Sequence, residues 1–108
     1  LKGNDKFILL GRKDFIINSG GIKLNPESIE KKLSKYYRTD FIISSVDDDE
    51  LGERLVIVFK EFYPDNYTSA FQILDRYEVP KEVKLLNSFP VNNGKFDRKK
   101  IKNFINHN

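Results

Sequence analysis

Lys95, Arg98, Lys99, Lys100 and Lys102 crowd into eight positions near the end of the chain, directly after the turn-forming pair Asn93-Gly94. Cations at this density suit phosphate oxygens, whether on a small nucleotide or along a nucleic acid, or they solvate a helix face. Lys95 differs from the others in following the Asn-Gly turn, which leaves its long, flexible stem at the end of a loop. Other chemistries find little support. There is no cysteine for a thiolate or disulfide, and His107, the single histidine, sits one residue from the end, a poor place for acid–base work or metal binding. Asp47-Asp48-Asp49-Glu50 and Glu53 read as a solvated acidic loop rather than a metal site. No glycine-rich phosphate loop, serine nucleophile or pair of catalytic acids is found.

The elements that would carry these residues follow from local pattern. Residues 6–10 and 14–17 read as short strands around Gly11-Arg12-Lys13, and Asn18-Ser19-Gly20-Gly21 is a turn because paired glycines accept positive φ. Ile22-Lys23-Leu24 returns as the second arm of a hairpin. Asn25-Pro26-Glu27 combines a capping side chain, a first-turn proline and an acid at the positive dipole end, which starts a helix over about 26–37. Ile29, Leu33 and Tyr36 give that helix its apolar face. Strands over 41–46 and 54–62 are rich in β-branched and aromatic residues, and a second helix spans about 67–77, with Tyr67, Phe71 and Leu74 inward. A strand over 83–87, a loop over 90–94 and a last helix capped by Asp97, with Ile101, Phe104 and Ile105 inward, complete the chain. This is an α+β arrangement: an N-terminal β-hairpin, then a small, mainly antiparallel three-stranded sheet flanked by helices.

Bulk properties agree with one domain over residues 1–108. Nine Phe and five Tyr supply core volume in the absence of Trp and Met. No apolar run approaches the ~20 residues that cross a bilayer. Lacking cysteine and any signal-peptide pattern, the chain is expected in the cytoplasm, and an opening of Leu-Lys-Gly-Asn-Asp suggests a piece of a longer polypeptide.

Two stretches carry a resemblance. Gly11-Arg12-Lys13-Asp14-Phe15-Ile16-Ile17-Asn18-Ser19-Gly20-Gly21-Ile22-Lys23-Leu24-Asn25-Pro26-Glu27 resembles the hinge and hairpin that open the C-terminal domain of adenylate-forming (AMP-binding) enzymes. Pro90-Val91-Asn92-Asn93-Gly94-Lys95-Phe96-Asp97-Arg98 resembles their C-terminal lysine motif. Val46 to Arg54 and Val79-Pro80-Lys81 are similar to the segments between, so the likeness spans nearly the whole chain in order. The hairpin is most similar to acyl-CoA ligases, O-succinylbenzoate–CoA ligase especially, which would set the protein in menaquinone biosynthesis. The Asn-Gly-Lys-Phe-Asp-Arg-Lys end would also suit the amino-acid-activating domains of nonribosomal peptide synthetases, although those domains usually depart from this hairpin.

The resemblance implies a two-step reaction. A carboxylate attacks the ATP α-phosphate with Mg2+ present, giving acyl-AMP and pyrophosphate, and a thiol (CoA or carrier-protein pantetheine) then displaces AMP. Lys95 matches the lysine that stabilises the charge of the first step. Arg12 matches the arginine that contacts nucleotide, its charged fork suiting phosphate or ribose oxygens, and Lys23 falls where relatives often place a cation near phosphate. Asp14, or the adjacent Lys13, is the pivot about which the small domain rotates. Gly20 and Gly21 line the pantetheine tunnel after rotation. Glu27 and Glu30 are read as helix-start acids. The large N-terminal domain of the same polypeptide, holding the phosphate loop and acyl pocket, would be the partner. Neither nucleic acid nor membrane is implied, and this domain alone would be inactive and hold no permanent cofactor.

Overall fold

The computed structural model describes residues 15–107, so Arg12, Lys13, Asp14 and the strand expected over 6–10 lie outside the described residues. Strands β1 (Ile17–Ser19) and β2 (Ile22–Leu24) pair antiparallel as a tight hairpin. Gly20 and Gly21 alone close it, with φ of 60° and 84°. Two successive positive φ values match the right-handed twist of the arms. Asn18 and Ser19, expected in the turn, lie in β1 and pair with Lys23 and Ile22.

Helix α1 (Pro26–Leu33) begins as its sequence indicates: Asn25 Oδ1 accepts the N–H groups of Glu27 (2.9 Å) and Ser28 (3.2 Å). Ile29 and Leu33 are buried. The helix stops at Leu33 rather than 37, because the Tyr36 N–H bonds back three residues to the Leu33 carbonyl. That tightening leaves Tyr36, the expected core residue, 49% exposed and buries Tyr37 instead. The Tyr37 hydroxyl donates to the Tyr67 carbonyl at 2.6 Å, and its ring meets Phe41 and Phe59 edge-on at 5.1 and 5.2 Å. Burial pushes its phenol up to about 12.

Strand β4 (Gly52–Lys60) is the spine of a five-stranded sheet. It pairs antiparallel with β3 (Phe41–Asp48), parallel with β5 (Glu82–Leu86), and with β1 through Ser19 opposite Gly52, so the hairpin joins the sheet rather than standing apart from it. Leu55 to Phe59 are almost fully buried because both faces are covered. Leu55, Ile57 and Phe59 pack with Ile29, Leu33 and Tyr37 on one side; Val56 and Val58 pack with Ile42, Val46 and Phe89 on the other.

The expected second α-helix is two 3-10 segments, Tyr67–Ile73 and Arg76–Glu78. Its contact face was read correctly, since Leu74 is buried and Tyr67 and Phe71 pack on the core. Its winding was not, because Asn66 enters at φ 55° without a side-chain cap and the first turn closes in i→i+3 steps, Ser69 N–H to Asn66 carbonyl. The expected loop over 90–94 carries a miniature hairpin, β6 (Val91–Asn92) with β7 (Lys95–Phe96). Helix α2 (Arg98–His107) follows, burying Ile101 and Ile105 against the second face, while Phe104 stays 48% exposed.

Side chains occupy the outer edge of β3. Glu30 accepts the Ile43 N–H (2.8 Å), and the Asn106 amide accepts the Asp47 N–H (3.0 Å) while donating to the Ser45 carbonyl (3.1 Å). These bonds satisfy successive outward-facing groups that would otherwise recruit another strand. The acidic loop is solvated as expected, with Asp47, Asp49 and Glu50 exposed, and it is also braced internally. Asp48 accepts the N–H groups of Glu50 and Leu51, and those bonds, with Arg54 nearby, hold its carboxyl below the usual range.

Glu53 ties three elements together: it accepts from the Asn18 N–H of β1 (2.9 Å), the Ser45 hydroxyl of β3 (2.7 Å) and the Lys102 ammonium of α2 (2.8 Å). Burial pulls this carboxyl upward, but the Asn18 N–H, Lys102 and Ser45 outweigh it and hold the group below its ordinary value. A depressed folded value means stability present above the unfolded carboxylate range and lost as pH falls through the folded value. Glu53→Gln is therefore expected to cost about 1–2 kcal/mol at pH 7. Urea unfolding across pH should show the gap between the two proteins closing below roughly pH 4.5; a gap independent of pH would remove the carboxylate from this role.

Candidate functional site

Lys95 stands at the start of β7, exposed, one residue past a turn built by Asn93 (φ 55°) and Gly94 (φ 77°). Asn-Gly is the pair that a two-residue turn with both φ values positive selects, since asparagine tolerates the left-handed region and glycine pays no Cβ penalty there. Register places Asn92 opposite Lys95 and Val91 opposite Phe96. A ladder this short is marginal by itself, so its position depends on what holds its base.

Four contacts do so. The Asp97 N–H donates to the Pro90 carbonyl at 2.8 Å, closing the hairpin where the two arms leave it. Phe96 meets Phe89 edge-on at 5.1 Å, and Phe89 is itself buried in the second core cluster. The Asp97 carboxylate accepts the Lys100 N–H (3.1 Å), capping α2 as its sequence indicates. Finally, the Arg98 guanidinium grips Glu30 with both prongs: Nη1 donates to Oε2 at 2.8 Å and Nη2 donates to Oε1. The side chains are only 18% and 17% exposed, which sets this pair apart from ordinary surface ion pairs. Removing one partner of a desolvated pair costs about 3–5 kcal/mol, and the residual exposure moves this one toward the low end.

Glu30, expected to be a helix-start acid, is not one. It lies past the first turn of α1, whose one first-turn acid is Glu27. Oε2 reaches both the Ile43 N–H and Arg98, so a single carboxylate joins the β3 edge to the base of the Lys95 hairpin. The sequence offered one signal for it: a carboxylate directly after buried Ile29, at the margin of the apolar stripe.

Beside the hairpin lies an open hollow of ≈ 840 Å³ lined by Phe15, Glu27 and residues 91–99. Its cations are Lys95, Arg98 and Lys99, with Arg98 engaged by Glu30 and stacked near the Phe15 ring at 5.9 Å. Lys95 and Lys99 are exposed. The hollow can meet an anion electrostatically; its lining holds no serine, threonine, cysteine or histidine. Among the described residues no group of three or more His, Cys, Asp or Glu could hold a metal, and no helix is long and apolar enough to cross a membrane.

The other expected site residues lie elsewhere. Gly20 and Gly21 form the tip of the first hairpin and Lys23 is exposed on β2; none of the three lines the hollow. Gly20 is held to glycine twice, by its φ of 60° and by the Leu51 side chain that a Cβ would meet at 3.1 Å, and its N–H donates to the Leu51 carbonyl at 2.8 Å. Gly21 is held to glycine by its φ of 84° alone, because a Cβ would enter open space. Arg12, Lys13 and Asp14 lie outside the described residues.

No protein-family model matches the chain, and a search of curated proteins finds no match. Solved structures do match. An acyl-CoA synthetase (AMP-forming)/AMP-acid ligase II-like protein from Dyadobacter fermentans is 26% identical, with 83% of this chain and 29% of that chain covered and a TM-score of 0.72. Apo MatB from Rhodopseudomonas palustris is 19% identical over 91% of this chain and 21% of that one, TM-score 0.78. The anthranilate CoA ligase AuaEII, in complex with anthranoyl-AMP, is 18% identical over 91% and 21%, TM-score 0.76. The chain thus spans between a fifth and three-tenths of the length of these structures. Its small α+β architecture, with hairpin, sheet and terminal helix, is the fold of the C-terminal domain of acyl-CoA synthetases.

Proposed function

We propose that this chain is the mobile C-terminal domain of an ATP-dependent carboxylate–CoA ligase, with Lys95 as the cation of the adenylation step. The observation that carries the reading is an exposed lysine on a turn of fixed geometry, at the base of which a desolvated ion pair joins it to the sheet. Such a lysine can enter a second lobe without disturbing its own. Exposed Val91 (62%) and Phe96 (37%) beside it offer apolar contact for that lobe. In the first half-reaction a carboxylate oxygen attacks the α-phosphorus of ATP, bound with Mg2+, and pyrophosphate leaves. Negative charge accumulates on the phosphoryl oxygens as two anions converge, and the Lys95 ammonium offsets it. In the second, a CoA thiol displaces AMP from the acyl-AMP; Gly20 and Gly21, whose turn bears no side chain, would admit the thin pantetheine arm. Arg12 and Lys23 would contact nucleotide, and Lys13 or Asp14 would be the pivot.

The specific acid is proposed on the hairpin's likeness: an O-succinylbenzoate-type aryl acid. Carboxylate-dependent ATP–pyrophosphate exchange by the full-length polypeptide, over a panel of aryl, alkyl and amino acids, decides this. Exchange with amino acids alone would replace the acyl-CoA reading by amino-acid activation for peptide synthesis.

The 108-residue chain alone is expected to show no carboxylate-dependent ATP turnover, since the phosphate loop and acyl pocket belong to the missing lobe. In the full-length enzyme, Lys95→Ala should lower the rate of acyl-AMP formation by about 10²–10³-fold while leaving conversion of supplied acyl-AMP and CoA to thioester close to wild type. Wild-type adenylation by Lys95→Ala would defeat the assignment.

A further inference from the structure

Arg98, Lys99 and Lys100 occupy the first turn of α2, where the helix dipole is positive and favours anions. A run of cations there opposes the local rule, and Asp97 at the cap offsets only part of it. Departures of this kind mark places where another demand has prevailed. Lys99 and Lys100 project into solvent; Arg98 instead turns back onto Glu30 with both guanidinium prongs. Glu30 is in turn anchored to the edge of β3 through the Ile43 N–H. Arg98 stands three residues after Lys95, at the point where the hairpin meets the helix. The route from sheet to lysine is thus Ile43, Glu30, Arg98, Asp97, hairpin.

We infer that Glu30 and Arg98 are positioning residues for Lys95: their bidentate pair fixes the direction in which the Asn93–Phe96 hairpin leaves the domain, and through it the reach of the ammonium. The other ties cannot fix this direction as well. The Phe96–Phe89 contact is a single edge-on ring pair, which tolerates rocking, and the Asp97–Pro90 bond closes the hairpin on itself without holding it to the sheet. A fork-to-carboxylate pair constrains two distances in one plane, and a lysine in place of the arginine keeps the charge but loses that plane. This proposal rests on the reading of Lys95 as the adenylation cation, and it requires that Glu30 and Arg98 act on one half-reaction alone.

Two variants isolate the geometry. Glu30→Gln retains an oxygen for the Ile43 N–H while giving up the charged grip on Arg98, and Arg98→Lys retains the cation while giving up the fork. In the full-length enzyme each should lower kcat for acyl-AMP formation about 10–50-fold with KM for ATP within roughly 2-fold, in line with a misplaced group rather than a lost binding contact. Thioester formation from supplied acyl-AMP should stay within about 2-fold, and Arg98→Met should fall below Arg98→Lys in adenylation. In the 108-residue chain, 15N relaxation should show order parameters of Gly94 and Lys95 dropping in both variants while those of β4 hold. Equal loss in both half-reactions, or unchanged order parameters at Gly94 and Lys95, would reduce the pair to a structural brace and overturn the proposal. Lys95→Ala, run alongside, separates the two levels: if it adenylates normally the ligase role of Lys95 fails, whereas if it is inactive and both positioning variants are normal, only the present inference fails.

Discussion

One carboxylate, that of Glu30, joins the edge of the sheet to the junction between the second hairpin and the last helix. It completes the hydrogen bonding of an edge-strand N–H at Ile43 and receives both prongs of Arg98, with little of either side chain left in water. The two duties reinforce each other. A carboxylate held by a backbone N–H has lost much of its rotamer freedom before Arg98 arrives, so the pair forms at a lower entropic cost than a free surface bridge. Glu53 repeats the device farther along β3 and β4, holding β1 and α2 through one carboxylate. Both acids do for a small domain what a larger core would do elsewhere, joining elements that apolar area alone orients loosely.

This dependence follows from the uneven burial around the site. The apolar core ends at Phe89, Ile101 and Ile105, and from Val91 to Phe96 every residue is exposed. Beyond the core, direction can be imposed only by polar groups with defined geometry. Hydrophobic contact is non-directional; a planar fork against a carboxylate is not. The hairpin that bears Lys95 therefore takes its shape from local turn chemistry, Asn93-Gly94, and its aim from a pair that is distant in sequence.

That division also explains what was readable from residues. The helix start at Asn25-Pro26 and the Asp97 cap are local signals that lie where their pattern puts them, and the glycine turn and the apolar β4 run lie within two residues of it. The end of α1 was misplaced because nothing in Tyr36-Tyr37 says which ring the core will take; the choice belongs to Phe41, Phe59 and the Tyr67 carbonyl, all remote in sequence. The segment after Pro64 showed its contact face but not its tighter winding, because the missing cap matters only once Asn66 has adopted a positive φ. Lys95 carries a motif, whereas Glu53 carries none and Glu30 only its place beside Ile29, since an acid's partner across 68 or 49 residues leaves no periodic trace.

The two hairpins belong to one sheet-centred body. The Gly20-Gly21 turn is joined to the β3–β4 loop by the Gly20 N–H and the Leu51 carbonyl, and the Lys95 turn is joined to the β3 edge through Glu30. While both attachments hold, each to the same pair of strands, neither hairpin can advance on a distant ligand with the other fixed unless the ladder between β3 and β4 breaks. That ladder runs from Phe41 opposite Phe59 to Asp48 opposite Gly52 and has its middle fully buried, so breaking it would mean unfolding the domain. If a lysine and a glycine turn on such a body serve successive steps at one nucleotide, the exchange between them must be a movement of the whole unit about a point outside the sheet. The rigidity conferred by Glu30 and Glu53 then has a mechanical use: a rotation delivers a side chain accurately only if the arm that carries it does not bend.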